Sequence, residues 1–233
     1  MARGQQLTSL VALLRDEIGQ SSNVAAGTDG LGALKNKLRQ AQEFYYLKHD
    51  WPFLRIKPTK TLSAGQRYYD LPTADGVINF ERIEEVVCWY NLHPYPLERG
   101  IELSDYEIYD SSLDERQDPV AKWDIRWTGS AAQIEVWPMP SVNTMYLQFV
   151  GIRDLRAFLA NDDVADLDDW LLVWHAAADI LARRSKKDAG RIAAKAQDRF
   201  NTLKGRVQGA TKPFSLGGSV SQPTHGINLT KGR

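Results

Sequence analysis

The chain has 233 residues, of which 43% are hydrophobic and 25% charged, so it can bury one large core or two small ones. A single cysteine, Cys88, excludes a disulfide framework and a cysteine-rich metal site. The longest uncharged apolar run, residues 170–178, is too short to cross a bilayer, and the first six residues lack the apolar region of a signal peptide. We therefore expect a soluble protein made in the cytosol.

The formal net charge is zero, but the charges are segregated along the chain. Residues 1–60 and 170–233 together carry an excess of 13 positive charges, whereas residues 61–169 carry an excess of 13 negative charges. Two interpretations are open: solvated faces that simply differ in charge, or a molecule polarised from end to end. The second would suit copies or partners stacked with matching faces.

Two amphipathic helices are predicted at the N-terminus. Apolar residues recur at helical spacing over residues 7–18, and Gly19 lies just past the end. A second helix is expected to begin after a cap at Thr28 or Asp29. It should end near Trp51, because the residue before a proline avoids the helical region.

The hydrophobic period changes from 3.6 to 2 at residue 53, which predicts a β-rich middle region. The predicted strands cover residues 53–57, 59–62, 66–69, 81–90, 122–127, 133–137 and 145–152. Residues 91–96, with two prolines, are expected to break the chain. Residues 122–127 alternate strictly and precede a Thr-Gly-Ser turn, which predicts an antiparallel hairpin. Ser104 and Glu107 match a capping box, so a short helix should start there.

The C-terminal third predicts a second helix pair followed by a tail. Acidic residues 162–169 precede a helix whose buried stripe should contain Trp170, Trp174, Ala177 and Leu181. A helical hairpin turning near residues 188–190 is expected, with one long helix as the alternative. After residue 209 the composition changes to Thr, Ser, Gly, Pro and Lys, which cannot support a core of its own.

The predicted fold class is α+β, with a bundle of about four helices from both chain ends, an inserted antiparallel β-rich subdomain and an extended C-terminal tail. The predicted boundaries are residues 1–52 and 162–209 for the helical subdomain, 53–161 for the β-rich subdomain and 210–233 for the tail. Because the basic ends are helical and the acidic middle is extended, the two subdomains should differ strongly in electrostatic potential.

The sequence predicts no catalytic residue, cofactor or metal ligand. The four histidines are too scattered for a metal cluster, and His175 is interpreted as a core or interface histidine. The glycine pair at 217–218 lacks the strand-to-helix context of a phosphate loop. Cys88 lies in a predicted strand with no histidine nearby in sequence. Nucleophilic catalysis therefore has no support.

One alternative is a carbohydrate-binding or glycoside-hydrolase-like tail component. A glycosidase places two carboxylates, one of them with a raised pKa, across the scissile bond. The candidate acids and aromatic platforms are Glu84, Glu85, Asp105, Asp110, Asp124, Glu135, Trp89, Tyr90, Trp123, Trp127 and Trp137. The simpler interpretation is that the acids form a solvated face and the tryptophans belong to the core.

Basic residues of the last helices also suit loose electrostatic contact with DNA or with an acidic protein surface. They are interrupted by Asp188 and Asp198, and no recognised DNA-binding motif accompanies them. Sequence-specific DNA binding is therefore not expected.

Four features of the chain occur together in one family of viral proteins. They are the N-terminal helix pair ending at Trp51, the segment from Thr61 to Pro72 with its Tyr-Asp-Leu-Pro end, the strand from Glu81, and the late strand followed by an Ala/Arg/Lys-rich helical hairpin. In this combination, over about residues 7–208, the chain resembles the head-to-tail adaptor (connector) proteins of tailed bacteriophages, particularly of short-tailed phages.

The resemblance implies a structural virion protein without enzymatic activity, found in the tail or neck and assembled in the host cytoplasm. Such proteins form a ring, commonly a dodecamer, beneath the portal. The implied partners are the portal protein, the tail nozzle or tail tube protein, neighbouring copies in the ring, and DNA passing through the lumen; no membrane is implied.

The predicted partner-binding residues lie on the basic helix pair and in the tail: Arg183, Arg184, Lys186, Lys187, Arg191, Phe214, Leu216 and Ile227. We expect the helical subdomain and tail to engage the portal, and the acidic β-rich subdomain to face the next tail component.

Overall fold

A computed structural model describes residues 3–20, 30–73, 76–110 and 113–209, with only the backbone for residues 206–209. The helices are α1 (Leu7–Glu17), α2 (Leu31–Lys48), α3 (Leu103–Ile108), α4 (Asp169–Arg183) and α5 (Ala189–Gly209). The strands are β1 (Arg55–Ile56), β2 (Thr59–Thr61), β3 (Tyr68–Asp70), β4 (Ile78–Tyr90), β5 (His93–Pro96), β6 (Glu98–Arg99), β7 (Lys122–Trp127), β8 (Ala132–Trp137) and β9 (Tyr146–Arg153). The predicted α+β fold class is confirmed.

The helices from the two chain ends pack together around α4, which contacts α1, α2 and α5. The helical spacing of apolar residues in α1 buries one stripe, as predicted. Helix α2 ends at Lys48, and the extended backbone of His49 leads to Trp51, whose buried indole N–H donates to the carbonyl of Tyr45 at 2.9 Å. The predicted caps Thr28 and Asp29 lie outside the described residues.

The buried face of α4 differs in part from the predicted stripe. Ala177 and Leu181 are buried as expected, but Trp170 and Trp174 are only partly buried and lie against each other at 5.5 Å between ring centroids. Because α4 is covered by three helices, its buried face is wide, and the two tryptophans lie at its margin. The acidic residue before the helix has the predicted role, since Asp168 caps α4 by accepting the Leu171 N–H at 3.1 Å.

Helices α4 and α5 form the predicted hairpin, and the alternative of one long helix is wrong. The turn covers residues 184–188 and so lies before the predicted position. The β7–β8 hairpin is also confirmed, and β7 has the predicted bounds.

The strands form two sheets. The first has the order β1-β9-β4-β5, with β2 also paired to β9, and the second has the order β3-β8-β7-β6. All pairs are antiparallel except β6 with β7.

Strand β5 lies where the sequence analysis predicts a break. Asn91 and Leu92, with φ of 49° and 65°, form the tight turn that pairs β4 with β5. Tyr90 and His93 close this turn as a hydrogen-bonded pair, so the register places Pro94 and Pro96 at the alternating positions whose nitrogens face away from β4. Prolines are tolerated there because β5 is an edge strand.

The short helix α3 is confirmed, but its predicted capping box is wrong. The box is formed by Glu102 and Asp105, and the Glu102 N–H donates to the Asp105 carboxylate at 2.7 Å. The helix therefore begins one residue before Ser104. The Glu102 side chain accepts the hydrogen bond from the backbone amide of the third helical residue, which is the role that the sequence predicted for Ser104.

Two separate clusters of buried apolar residues occupy the described part of the chain. One lies among α1, α2, α4 and α5, and also includes Leu54, Ile152 and Phe158 from the predicted β-rich subdomain. The other lies between the two sheets. The predicted division into subdomains at residues 52 and 162 stays a prediction. One core lies mainly among helices, and the other lies between the sheets.

Candidate partner-binding surface

The predicted basic residues lie together at the turn between α4 and α5. We call Arg183, Arg184, Lys186, Lys187 and Arg191 the basic turn; all five are exposed. The predicted tail residues Phe214, Leu216 and Ile227 lie outside the described residues, so their part of the predicted surface stays a prediction.

The turn has a defined backbone geometry. Ser185 has a φ of 53°, the Lys186 N–H donates to the Leu181 carbonyl at 3.0 Å, and the Ser185 N–H donates to the Ala182 carbonyl at 3.0 Å. This bonding pattern is a Schellman motif, which satisfies the last carbonyls of α4. The cations beside it lie at the negative end of the α4 dipole, where positive charge is favoured.

The basic turn is only partly neutralised by its own helices. Arg183 approaches Asp179 at 3.5 Å, and Arg191 approaches Asp188 at 3.4 Å. Lys186 and Lys187 have no salt bridge to any described residue. The turn therefore presents a net positive surface to solvent.

An apolar groove of about 500 Å³ runs beside the basic turn, between α2, α4 and α5. Its α4 and α5 walls consist largely of small residues, among them Ala178, Ala182, Ala189, Gly190 and Ala193. Small side chains on both helices leave this space open, so we call it the alanine groove.

His175, the histidine singled out from the sequence, lies on α4 and lines the alanine groove beside the aromatic residues of α2. The ring of His175 stacks on half-exposed Phe44 at 5.0 Å, and its Nδ1 lies 3.2 Å from the Tyr45 hydroxyl. Burial lowers the pKa of His175. His175 therefore packs as the predicted core or interface histidine.

Three of the six acids proposed for a glycosidase, Glu84, Asp105 and Glu135, are held by cations. The Arg67 Nε donates to Glu135 at 2.7 Å, the Tyr106 hydroxyl donates to the same carboxylate at 2.8 Å, and the Arg67 guanidinium lies over the Trp137 ring. Asp105 accepts from Lys122 at 2.8 Å.

The pKa of Asp105 is shifted in the direction opposite to that required of a general acid. The hydrogen bond from Lys122 lowers the pKa of this carboxyl, whereas a glycosidase acid requires a raised pKa. Glu84 pairs with Arg55 at 2.7 Å, and Asp124 lies opposite Glu135 in the β7–β8 ladder. These ion pairs give Glu84, Asp105 and Glu135 a structural role.

A second exposed surface was missed by the sequence analysis. Leu103, Ile108 and Leu113 are 76%, 66% and 72% exposed, and exposed glutamates surround them at 98, 102 and 107. We call these six residues the α3 surface. The available signal was the alternation of glutamate with large aliphatic residues in a segment too short for a helix with a buried stripe.

Over residues 3–20, 30–73, 76–110 and 113–209, no group of three metal-ligating side chains converges. Within the same ranges, none of the helices has the length and apolar character that spanning a bilayer requires.

The exposed features of the described chain are thus a basic turn with a groove beside it and an acidic surface with projecting aliphatic side chains. Surfaces of this kind define a protein that docks to other macromolecules. A family model described as SU10 adaptor protein matches residues 5–221, and the chain belongs to this family of phage head-to-tail adaptors. Membership implies a structural, non-enzymatic protein. No curated protein matches the chain.

Proposed function

We propose that this adaptor assembles into a ring that joins the portal to the tail nozzle and lets DNA pass through its lumen. The observation that carries the proposal is the match to the adaptor family over nearly the whole chain. Surfaces of opposite charge on one chain support it, because head-to-tail contacts that close on rotation generate rings. The ring is a dodecamer in the neck of the virion.

Within this ring, the helical region and residues 210–233 engage the portal, and the acidic β-rich region faces the next tail component. The excess of positive charge over residues 170–233 supports docking to an acidic partner surface. The tail sequence holds isolated apolar residues in a polar background, a composition that suits ordering on a partner. DNA contact in the lumen is electrostatic and non-specific.

The test is a mass measurement of the adaptor alone and together with the portal protein of the same virion. We expect a discrete complex of portal with a fixed number of adaptor copies. Deleting residues 211–233 should leave a folded protein that no longer docks to portal. Docking that persists after the deletion would contradict the role given to the tail.

A full-length variant separates the loss of apolar anchors from the loss of chain length. Phe214→Ser, Leu216→Ser and Ile227→Ser together should weaken docking by at least about tenfold, since each removes a buried apolar anchor worth more than 1 kcal/mol. The matched control, Ser219→Ala with Thr224→Ala, alters the same tail without removing an anchor. An adaptor that never forms a multimer on portal would refute the ring itself.

A further inference from the structure

Two surfaces of the described chain are complementary in charge and in shape, yet they belong to different regions of one molecule. The basic turn is continuous along the chain with Ala182, Ala189 and Gly190 of the alanine groove, so positive charge adjoins an apolar depression. Lys48 also lines the groove, and its one lining acid, Asp179, is paired with Lys37 at 2.5 Å. The α3 surface has the opposite character, because glutamates surround three projecting aliphatic side chains. We propose that the α3 surface of one copy docks into the alanine groove of a neighbouring copy, against its basic turn.

The α3 surface is exposed and its charges are only partly compensated: Lys122 lies near enough to interact with Glu98 and Glu102, but its salt bridge is to Asp105. Glu98, Glu102 and Glu107 form no salt bridge with a described residue, whereas Asp105 on the same helix is paired with Lys122. The sole basic neighbour in the strand before α3, Arg99, lies over the Trp123 ring at 5.3 Å. A partner for this surface must therefore supply positive charge.

The aliphatic side chains of α3 are not buried against the rest of the described chain. None of the residues of α3 is buried, and the helix is held to the sheet through polar contacts, including the Trp137 indole N–H to the Asp105 carbonyl at 3.0 Å. Leu103 and Glu107 lie one helical turn apart and so share a face. An apolar contact and an ion pair can form side by side from this face.

The alanine groove supplies both requirements. Its small side chains leave a depression for Leu103 and Ile108, while Lys186 and Lys187 at the adjacent turn lack salt bridges to described residues. DNA would match the basic turn but would be repelled by the α3 glutamates. A second copy of the chain matches both surfaces at once, in a contact that is heterologous and repeats around a ring.

The inference rests on the proposed ring, and the experiment uses charge exchange between copies. Variant A carries Glu98→Lys and Glu107→Lys, and variant B carries Lys186→Glu and Lys187→Glu. In each variant alone, every α3–groove contact brings like charges together. We expect the association between copies in the portal-bound assembly to weaken by at least about tenfold, because like charges facing each other at an interface cost more than 1 kcal/mol.

Mixing A and B gives the decisive measurement. Contacts that alternate between the two variants are each complementary, so the mixture should recover the multimer mass that each variant alone has lost. A single chain carrying all four reversals should recover it as well. A symmetric contact of each surface with itself already brings like charges together in the unaltered chain, so neither variant alone should weaken it and the single chain with all four reversals should not differ from the unaltered one.

Two matched controls carry the same changes in net charge as variants A and B, but at positions outside the proposed contact. Glu43→Lys with Asp198→Lys and, separately, Lys57→Glu with Lys204→Glu alter exposed residues outside both surfaces and should leave the assembly unchanged. A further variant, Ala193→Phe, fills the alanine groove without altering charge and should weaken assembly in the same way.

The outcomes separate the inference from the proposed function. If the unaltered adaptor forms no multimer on portal, the ring and this contact both fail. If it forms one and variants A and B assemble as well as the controls, the ring stands and the contact is wrong. Loss in A and B without recovery in the mixture also overturns it.

Discussion

The helical and β-rich regions differ in the solvent exposure of their acidic side chains. In the helical core the carboxylates of Asp166, Asp168 and Asp169 are almost wholly inaccessible to solvent, whereas the α3 glutamates of the β-rich region project outward. A block of acidic sequence is therefore not a block of acidic surface. Asp166 and Asp168 bind cations inside the protein, whereas the glutamates near α3 face solvent.

The buried acids are accommodated by specific partners. The Asp166 carboxylate binds the guanidinium groups of both Arg153 and Arg156, and the Arg156 N–H donates to it at 2.8 Å. Asp168 caps α4 and binds Arg199 of α5 at 2.7 Å. These contacts tie the end of β9 and the two last helices into one unit.

The largest effect that distinguishes the regions is expected from removing Asp166. Asp166→Ala leaves the partly buried Arg153 without its partner and should lower the free energy of unfolding by about 3 kcal/mol. Denaturant unfolding followed by circular dichroism measures this loss. The exposed acid Asp162, changed to Asn, is the matched control and should alter stability by less than about 0.5 kcal/mol.

The same carboxylate predicts a pH dependence. Although burial opposes ionisation, hydrogen bonds from Arg153 and Arg156 hold the pKa of Asp166 below its ordinary value. A lowered folded-state pKa means that the stabilisation is complete above the unfolded-state pKa and is lost as the pH falls through the folded-state value. Asp166→Ala should therefore flatten the acid limb of the stability curve, and an unchanged limb would contradict this role.

A second test asks whether the two cores unfold together. Leu172→Ala in the helical core and Leu147→Ala in the β core should each cost about 3 kcal/mol, because both side chains are fully buried. If the predicted subdomains are separate folding units, each variant should lower the transition of its own region. Amide hydrogen exchange resolves the two regions, and equal loss of protection in both would refute the division.

A smaller effect of opposite sign is expected at Asp169. Burial raises its pKa, and the backbone amides of Gly4 and Gln5 together with the charge of Arg3 oppose this only in part, since neither carboxylate oxygen forms a well-aligned hydrogen bond with a described residue. The ionised form is therefore destabilising above the folded-state pKa, and the destabilisation disappears as the pH falls through that value and the group is protonated. Asp169→Asn should raise stability by about 1 kcal/mol at pH 7, and by less in acid.

The neighbouring acid provides the control for this prediction. Asp168→Asn loses the charged partner of Arg199 and should destabilise the protein at pH 7. Thermal unfolding at pH 7 and in acid compares the two variants. Equal effects of both substitutions would show that Asp169 is not carrying an uncompensated charge.

The smallest effect is expected at the basic turn. Ser185 holds a positive φ that favours glycine, so Ser185→Gly should stabilise the protein by about 0.5 kcal/mol. Ser185→Ala keeps the unfavourable conformation and should bring no gain. Thermal unfolding distinguishes the two variants, and a gain with alanine would show that φ is not the cause.

The sequence predicts the elements whose signal is local. The strict alternation of residues 122–127 and the helical spacing of residues 7–18 identify β7 and α1 almost residue by residue, because one face of each is apolar. Because β5 contains two prolines, the sequence predicts a break there instead of a strand. Proline is compatible with this strand only because the strand lies at the edge of the sheet. The parallel pairing of β6 also depends on tertiary contacts and has no local pattern.

The candidate surfaces were predicted to different extents. The cluster of cations at 183–191 is visible in the sequence, and the structure brings all five to one turn. The exposure of Leu103 was not predictable, because an aliphatic residue in a short helix is ordinarily buried, and only the packing shows otherwise. The alanine groove depends on the spacing between α4 and α5, which no single segment encodes.

Strand β5 has a consequence for how copies accumulate in an infected cell. With proline nitrogens at both outward positions, its free edge offers no amide donors at 94 and 96, so a strand from another chain finds no continuous ladder there. Newly made subunits at high concentration are thereby protected from joining edge to edge into fibres. Association through side chains, which the proposed ring would use, does not depend on these missing donors.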